Sequence, residues 1–151
     1  MTRIVRLLFP IVVVASLAIG CAQASLPPTS PSSVGRSQAL ASEDLAGTWI
    51  LLSVQPAGQP DQAAPAAASY TLTFADGRLS TRADCNTCSG TFSVSGQTLT
   101  AGPALACTRA ACPTMEFESA YTSMLSGDST VTLSDDSLVL SSPRGVLRFH
   151  R

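Results

Sequence analysis

The apolar residues of this chain form one unbroken run and then a series of short alternating stretches. From Leu7 to Ile19 every residue is apolar or small except Ser16. A transmembrane helix needs about 20 apolar residues, so this run is too short for one. With Arg3 and Arg6 ahead of it, it reads as the core of a secretory signal. Apolar periodicity then disappears over residues 21–42, where Leu26-Pro27-Pro28-Thr29-Ser30-Pro31-Ser32-Ser33 dominates. That composition predicts a disordered, partly extended tether. A single domain is expected over residues 43–151.

Within the domain the dominant period is two. Leu45–Val54 reads as a first strand, and the Pro- and Ala-rich residues 55–68 as a loop. Tyr70, Leu72 and Phe74 alternate with Thr71 and Thr73, the signature of a half-buried strand. Asp76-Gly77 predicts a type I′ hairpin turn, because both residues accept positive φ. Arg78–Ala83 is the return strand. A second hairpin joins 91–94 to 97–100, with Ser95-Gly96 in the turn and Phe92 facing Leu99. One helix is expected from about Pro113, which suits a first helical position. Its stripe is Phe117, Tyr121, Met124 and Leu125, and Gly127 ends it. Alternation resumes at Val131 and Leu133, at Leu138 and Leu140, and at Leu147 and Phe149. About eight short strands joined by hairpins predict a mainly β fold. The expected form is a small antiparallel β-barrel or strongly curled sheet, lipocalin-like, with one covering α-helix. A βαβ fold is excluded.

Composition removes several enzyme classes. The chain has 151 residues, and all nine basic residues are arginines. Without lysine there is no Schiff base and no P-loop lysine. The only histidine is His150, which is expected to be exposed on its strand and cannot build a multi-histidine metal site. A formal charge of −1 offers no basic field to nucleic acid. No catalytic, cofactor-binding or metal-binding residue is expected. The one polar cluster worth naming is Asp84, Asn86 and Arg109, which bracket the cysteines. Its expected role is structural: Asn86 satisfies a tight turn, and Arg109 pairs with Asp84 or with backbone carbonyls. Trp49 is expected in the core.

The sequence Leu17-Ala18-Ile19-Gly20-Cys21 looks like a bacterial lipobox, which implies cleavage before Cys21 and a lipid on its thiol. Ala22-Gln23-Ala24 is a rival site for ordinary signal peptidase, and would release a soluble secreted form. Removal of residues 1–20 takes Arg3 and Arg6 and leaves seven arginines against ten acids. A mildly acidic protein gains nothing from an anionic leaflet, and attachment would rest on the acyl chains.

Four further cysteines, Cys85, Cys88, Cys107 and Cys112, follow the export signal. In an oxidising compartment they are expected to form two structural disulfides. A redox Cys85-x-x-Cys88 pair and a four-cysteine zinc site are the alternatives. If Val94 faces Gln97 and the register runs on, Cys88 lies opposite Pro103 and Cys85 opposite Ala106. Nested pairing, Cys88 with Cys107 inside Cys85 with Cys112, is expected, and crossed pairing is left open.

Several blocks together resemble the META/HslJ-like domain family: Leu45-x-Gly47-Thr48-Trp49, Phe74-x-Asp76-Gly77, Asp84-Cys85-Asn86-x-x-Ser89-Gly90 and Thr108-Arg109-x-x-Cys112. The later Leu138-x-Leu140 and Gly145-x-Leu147-x-Phe149 strands fit as well. Ala110-Ala111 departs from the family, which often has Met there. In the family pattern the block cysteines correspond to Cys85 and Cys112, which implies that they pair. The resemblance also implies a small envelope or secreted module linked to stress response, drug tolerance and motility or secretion, with no established catalytic mechanism. The expected function is therefore non-catalytic: support of envelope integrity or stress tolerance by a lipid-anchored protein. It would sit on the periplasmic side of the outer membrane in a Gram-negative host, possessing no cofactor and contacting an envelope protein partner. A lipocalin-like carrier of a small apolar ligand is the alternative, as is a secreted form of the same domain.

Overall fold

The computed structural model of the chain describes residues 39–151. The expected signal segment, Cys21 and most of the expected tether lie outside the described residues. Eight antiparallel strands form a closed barrel: β1 (Gly47–Pro56), β3 (Tyr70–Ala75), β4 (Arg78–Ala83), β5 (Asn86–Ser95), β6 (Thr98–Ala101), β8 (Gly127–Ser134), β9 (Ser137–Ser142) and β10 (Gly145–His150). They neighbour one another in that order, and β10 pairs back onto β1 from Ile50↔His150 to Pro56↔Gly145. Two short strands sit beside the ring, β2 (Gln62–Ala63) on β1 and β7 (Ala106–Cys107) on β5. The register of β1 against β10 shifts between Leu51 and Ser53. A bulge there sharpens the local twist and helps the strand bend into a ring.

Alternation explains the packing. Tyr70, Leu72 and Phe74 face inward from β3, Leu79 and Ala83 from β4, and Leu147 and Phe149 from β10, all buried. Their neighbours along each strand, mostly Thr, Ser and Arg, face out. Trp49, Phe74, Tyr121 and Phe149 fill the interior together with leucines. The helix α1 (Met115–Leu125) lays Phe117 and Tyr121 against Tyr70, with ring centroids 5.0 and 5.5 Å away. Near the opposite end, a 3-10 turn (Ser42–Leu45) buries Leu45, whose carbonyl accepts the Trp49 indole N–H at 2.9 Å. The Arg151 guanidinium stacks 4.0 Å from the Trp49 ring and reaches the carbonyls of Asp44 and Ala46.

Several expectations are corrected. The tether gives way before residue 42: Leu40 packs against the core, and its N–H donates to the Gly96 carbonyl. The loop over 55–68 contains β2. The β5–β6 hairpin turns at Gly96-Gln97 and not at Ser95-Gly96, so Val94 faces Leu99 and Phe92 faces Ala101. Gly96 takes φ 61° at the first central position, where a two-residue II′ hairpin needs glycine. The helix starts at Met115, two residues beyond Pro113. By contrast, Asp76 and Gly77 both adopt positive φ, 49° and 70°, as a type I′ turn requires.

Candidate functional site

The chemistry-bearing residues gather where the β4–β5 hairpin, the segment 106–112 and the start of α1 meet. The hairpin turns through Asp84-Cys85, with Asp84 at φ 57°, a conformation Asp tolerates better than most side chains. The Asp84 carboxylate accepts the Thr114 hydroxyl at 2.6 Å and its backbone N–H at 3.3 Å. A negative charge is thereby placed at the helix N-terminus, where the dipole favours it. Thr114 Oγ1 also bonds the Tyr70 hydroxyl at 2.7 Å.

Asn86 is the hub. It is the first residue of β5, points inward and is only 2% exposed. Its Oδ1 accepts the Ala110 N–H at 2.7 Å and the Thr108 hydroxyl at 2.9 Å. Its Nδ2 donates toward the Glu118 carboxylate at 2.9 and 3.1 Å and the Ala110 carbonyl at 3.0 Å, and lies 3.1 Å from Cys112 Sγ. One side chain thus ties the strand, the loop and the helix together. The backbone N–H of Ala110 fixes which end of the amide is oxygen.

The cysteines lock the same corner. Cys88 faces Cys107 across β5 and β7 and is bridged to it, and Cys85 is bridged to Cys112. The order is nested. Cys85 and Cys88 each bond a different partner, which leaves no redox pair within the C-x-x-C, and all four sulfurs are held in bridges instead of around an ion. Thr108 extends the contact: its N–H donates to the Thr87 carbonyl, and its Oγ1 accepts the Thr87 N–H, both at 3.0 Å.

The expected Asp84–Arg109 pair does not form. Asp84 is engaged by Thr114, and Arg109 is exposed without a hydrogen bond or ion pair among the described residues. An exposed Asp–Arg contact stabilises little, so the two donors of the helix start prevail. Nor does Asn86 lie in the turn, since Ala83↔Asn86 is already a strand pair. Glu118, the hub's main partner, gave no sign in the sequence beyond its place early in the helix. His150 lies half-buried on the outer side of β10, less open than expected.

Two open grooves flank the bridged segment. One, of about 440 Å³, lies between residues 107–111 and α1 and reaches Asn86, Arg109, Met115 and Glu118. The other, of about 530 Å³, lies across the outer sides of β3, β4, β5 and β7. It is lined by Thr and Ser side chains and by Cys88, Ala106 and Cys107, with Arg82 its single charged residue.

Burial raises the Tyr70 phenol above the usual tyrosine range; the Asp84 and Glu118 carboxylates push the same way, while the Thr114 hydrogen bond opposes them. Tyr121, fully buried against Thr81, is raised further, again by burial first. Both groups therefore hold their protons more tightly folded than unfolded. Their contribution to stability is complete below the unfolded value of about 10 and is lost as pH rises through the folded values. Urea midpoints should be flat with respect to these groups up to about pH 9.5 and fall steeply above pH 10. Replacing both residues by phenylalanine should flatten that alkaline limb. An unchanged limb would refute the assignment.

These features define a small, disulfide-bridged, closed β-barrel capped by one helix. The family model of the META domain matches residues 43–151, and the chain belongs to that family. Among solved structures, a protein from Burkholderia xenovorans determined by NMR is similar at 26% identity and TM-score 0.61, over 73% of this chain and 85% of that one. A second NMR structure is similar at 25% identity and TM-score 0.59, over 74% and 94%. A lipocalin-like protein from Bacteroides uniformis shares the fold at 23% identity and TM-score 0.50, over 72% and 98%. No curated protein matches the chain.

Proposed function

We propose that this META domain is a non-catalytic module of the cell envelope. It is carried on a lipid at Cys21 and acts through its outer surface to support envelope integrity or tolerance of stress and drugs. The observation that supports a non-catalytic reading is the commitment of the Asn86 cluster to holding the fold. Asn86 bonds Ala110, Thr108 and Glu118, and Asp84 bonds the helix start. A residue that must give or take a proton during turnover needs a free position toward substrate. Two bridges suit an oxidising compartment, and the lipobox-like Leu17–Cys21 run supports anchoring. On this reading the partners are the membrane, through the anchor, and an envelope protein. Cleavage after Ala24 would give a secreted form instead.

Deleting the gene should sensitise cells to detergent and hydrophobic drugs. Wild type should restore tolerance, and so should Arg109→Gln, whereas Cys21→Ser should not. A folded Asp84→Asn protein present at normal level and location that fails to complement would sink the non-catalytic reading, because Asp84 is committed to the helix start and not to the outer surface.

The lipocalin-like neighbour favours a second reading, a carrier of a small apolar ligand. The interior is occupied by Trp49, Phe74, Tyr121 and Phe149. A carried ligand would therefore use an outer groove and not the barrel axis.

A further inference from the structure

We propose that the larger outer groove is a binding site for a saccharide chain bearing carboxylates. Its floor is formed by two rows of outward side chains that run across the strands. Thr71, Arg82 and Thr87 stand opposite one another in one row, and Thr73, Ser80 and Ser89 in the next. The bridged β7 segment walls one side.

Three features select the ligand. Every floor strand is paired on both edges: β3 with β1 and β4, β4 with β3 and β5, and β5 with β4 and then β7 or β6. The floor therefore leaves no backbone edge for a peptide to join as an extra strand, and the free edge of β7 beside it is only two residues long. Among its lining side chains the hydroxyls of Thr71, Ser80, Thr87 and Ser89 are free, among the described residues, to donate and accept. Those of Thr73, Thr81 and Thr108 are engaged by Thr48, the Thr71 carbonyl and Asn86, and Cys88, Ala106 and Cys107 are apolar. Neighbouring strands lie about 4.8 Å apart, close to the repeat of one sugar in an extended chain. A row of hydroxyls at that spacing matches the hydroxyls of successive sugars.

The charge selects the acidic sugar. Residues 43–151 carry six arginines against ten acids, yet no acid lines this groove. Arg82 is held in place by its Nε–H, which donates to the Asp84 carbonyl at 3.0 Å. Its two terminal nitrogens make no hydrogen bond among the described residues. They form the planar fork that recognises a carboxylate through two parallel bonds. Arg78 follows on the same face of β4. The groove holds no aromatic platform, so affinity should come from several sugars bound together. The inference rests on the outer-surface reading above and adds a ligand class to it.

The test is calorimetric titration of the full chain with oligogalacturonate, beside a neutral cello-oligosaccharide of equal length and inorganic phosphate. Saturable binding of the acidic oligomer is expected, at least about tenfold tighter than of the neutral one. Arg82→Gln should weaken it about tenfold. The Thr71→Val/Thr87→Val pair, which removes the two free hydroxyls beside Arg82 and keeps β-branched residues on the strands, should weaken it about fivefold. Should Arg82→Gln not fold, the valine pair decides alone. Absent binding, equal binding of the neutral oligomer, equal competition by phosphate, or unchanged affinity in the valine pair would each overturn the proposal. Shortening of the oligomer during the titration would instead overturn the non-catalytic reading and leave the groove assignment standing.

Discussion

Reducing both disulfides should remove roughly 6 kcal/mol of stability by loop-closure entropy. The inner bridge, Cys88–Cys107, spans a separation of 19 residues, and the outer, Cys85–Cys112, spans 27. Because they are nested, their effects are not simple sums. With the inner bridge intact, the outer one closes only a small further loop and contributes roughly 2.5 kcal/mol. With the outer one gone, the inner should contribute about 3 kcal/mol. Domains of this size have about 5–15 kcal/mol in total, so the fully reduced protein should be marginal or unfolded at growth temperature. Urea titrations of the wild type, of Cys85→Ala/Cys112→Ala and of the reduced protein check this. Equal midpoints for oxidised and reduced protein would contradict the pairing of these loops with stability.

Asn86→Asp is the second large effect. The substitution keeps the shape and exchanges the Nδ2 donor for an acceptor. A carboxylate would then face the Glu118 carboxylate at the 2.9–3.1 Å now occupied by a hydrogen bond. At pH 7 the loss of that bond and the like-charge contact should cost roughly 2–4 kcal/mol. Relief requires a proton on one of the two groups, so the folded-state pKa of the pair rises. The penalty is then full at neutral pH and shrinks as pH falls toward the ordinary carboxylate range near 4. Adding Glu118→Gln to the variant should recover most of the loss at pH 7, because the new amide can donate. A penalty that is equal at pH 7 and pH 4.5, or that survives Glu118→Gln, would mean that Asn86 matters for another reason.

The barrel was legible because its determinants are local. Tyr70, Leu72 and Phe74 declare their own period, and Asp76-Gly77 can turn in few other ways. The hairpin at 95–97 shows where that stops. Ser95-Gly96 and Gly96-Gln97 both place glycine in a two-residue turn, and only Leu40, Thr130 and the rest of the ring choose between them. The nested bridges survived the slip in register because both settings bring Cys85 and Cys88 to the same segment. The Asn86 hub was not legible, since its partners lie 22 to 32 residues away and include backbone groups of Ala110, whose side chain carries no signal. Arg109 misled for the complementary reason. Opposite charge suggests a pair, but nothing in composition says which acid a helix start has already taken.

Closure of the ring by β1 and β10 also orders events in time. Hairpins such as β3–β4 join residues a few positions apart and form in about 1–10 μs. Ile50 and His150 are separated by nearly the whole domain, and bringing such distant segments together is entropically slow. Until it happens, the curled sheet has two open edges, each a template for pairing with another copy. The domain's exposure to misassembly therefore falls in the interval before its last strand arrives, and ends when that strand pairs.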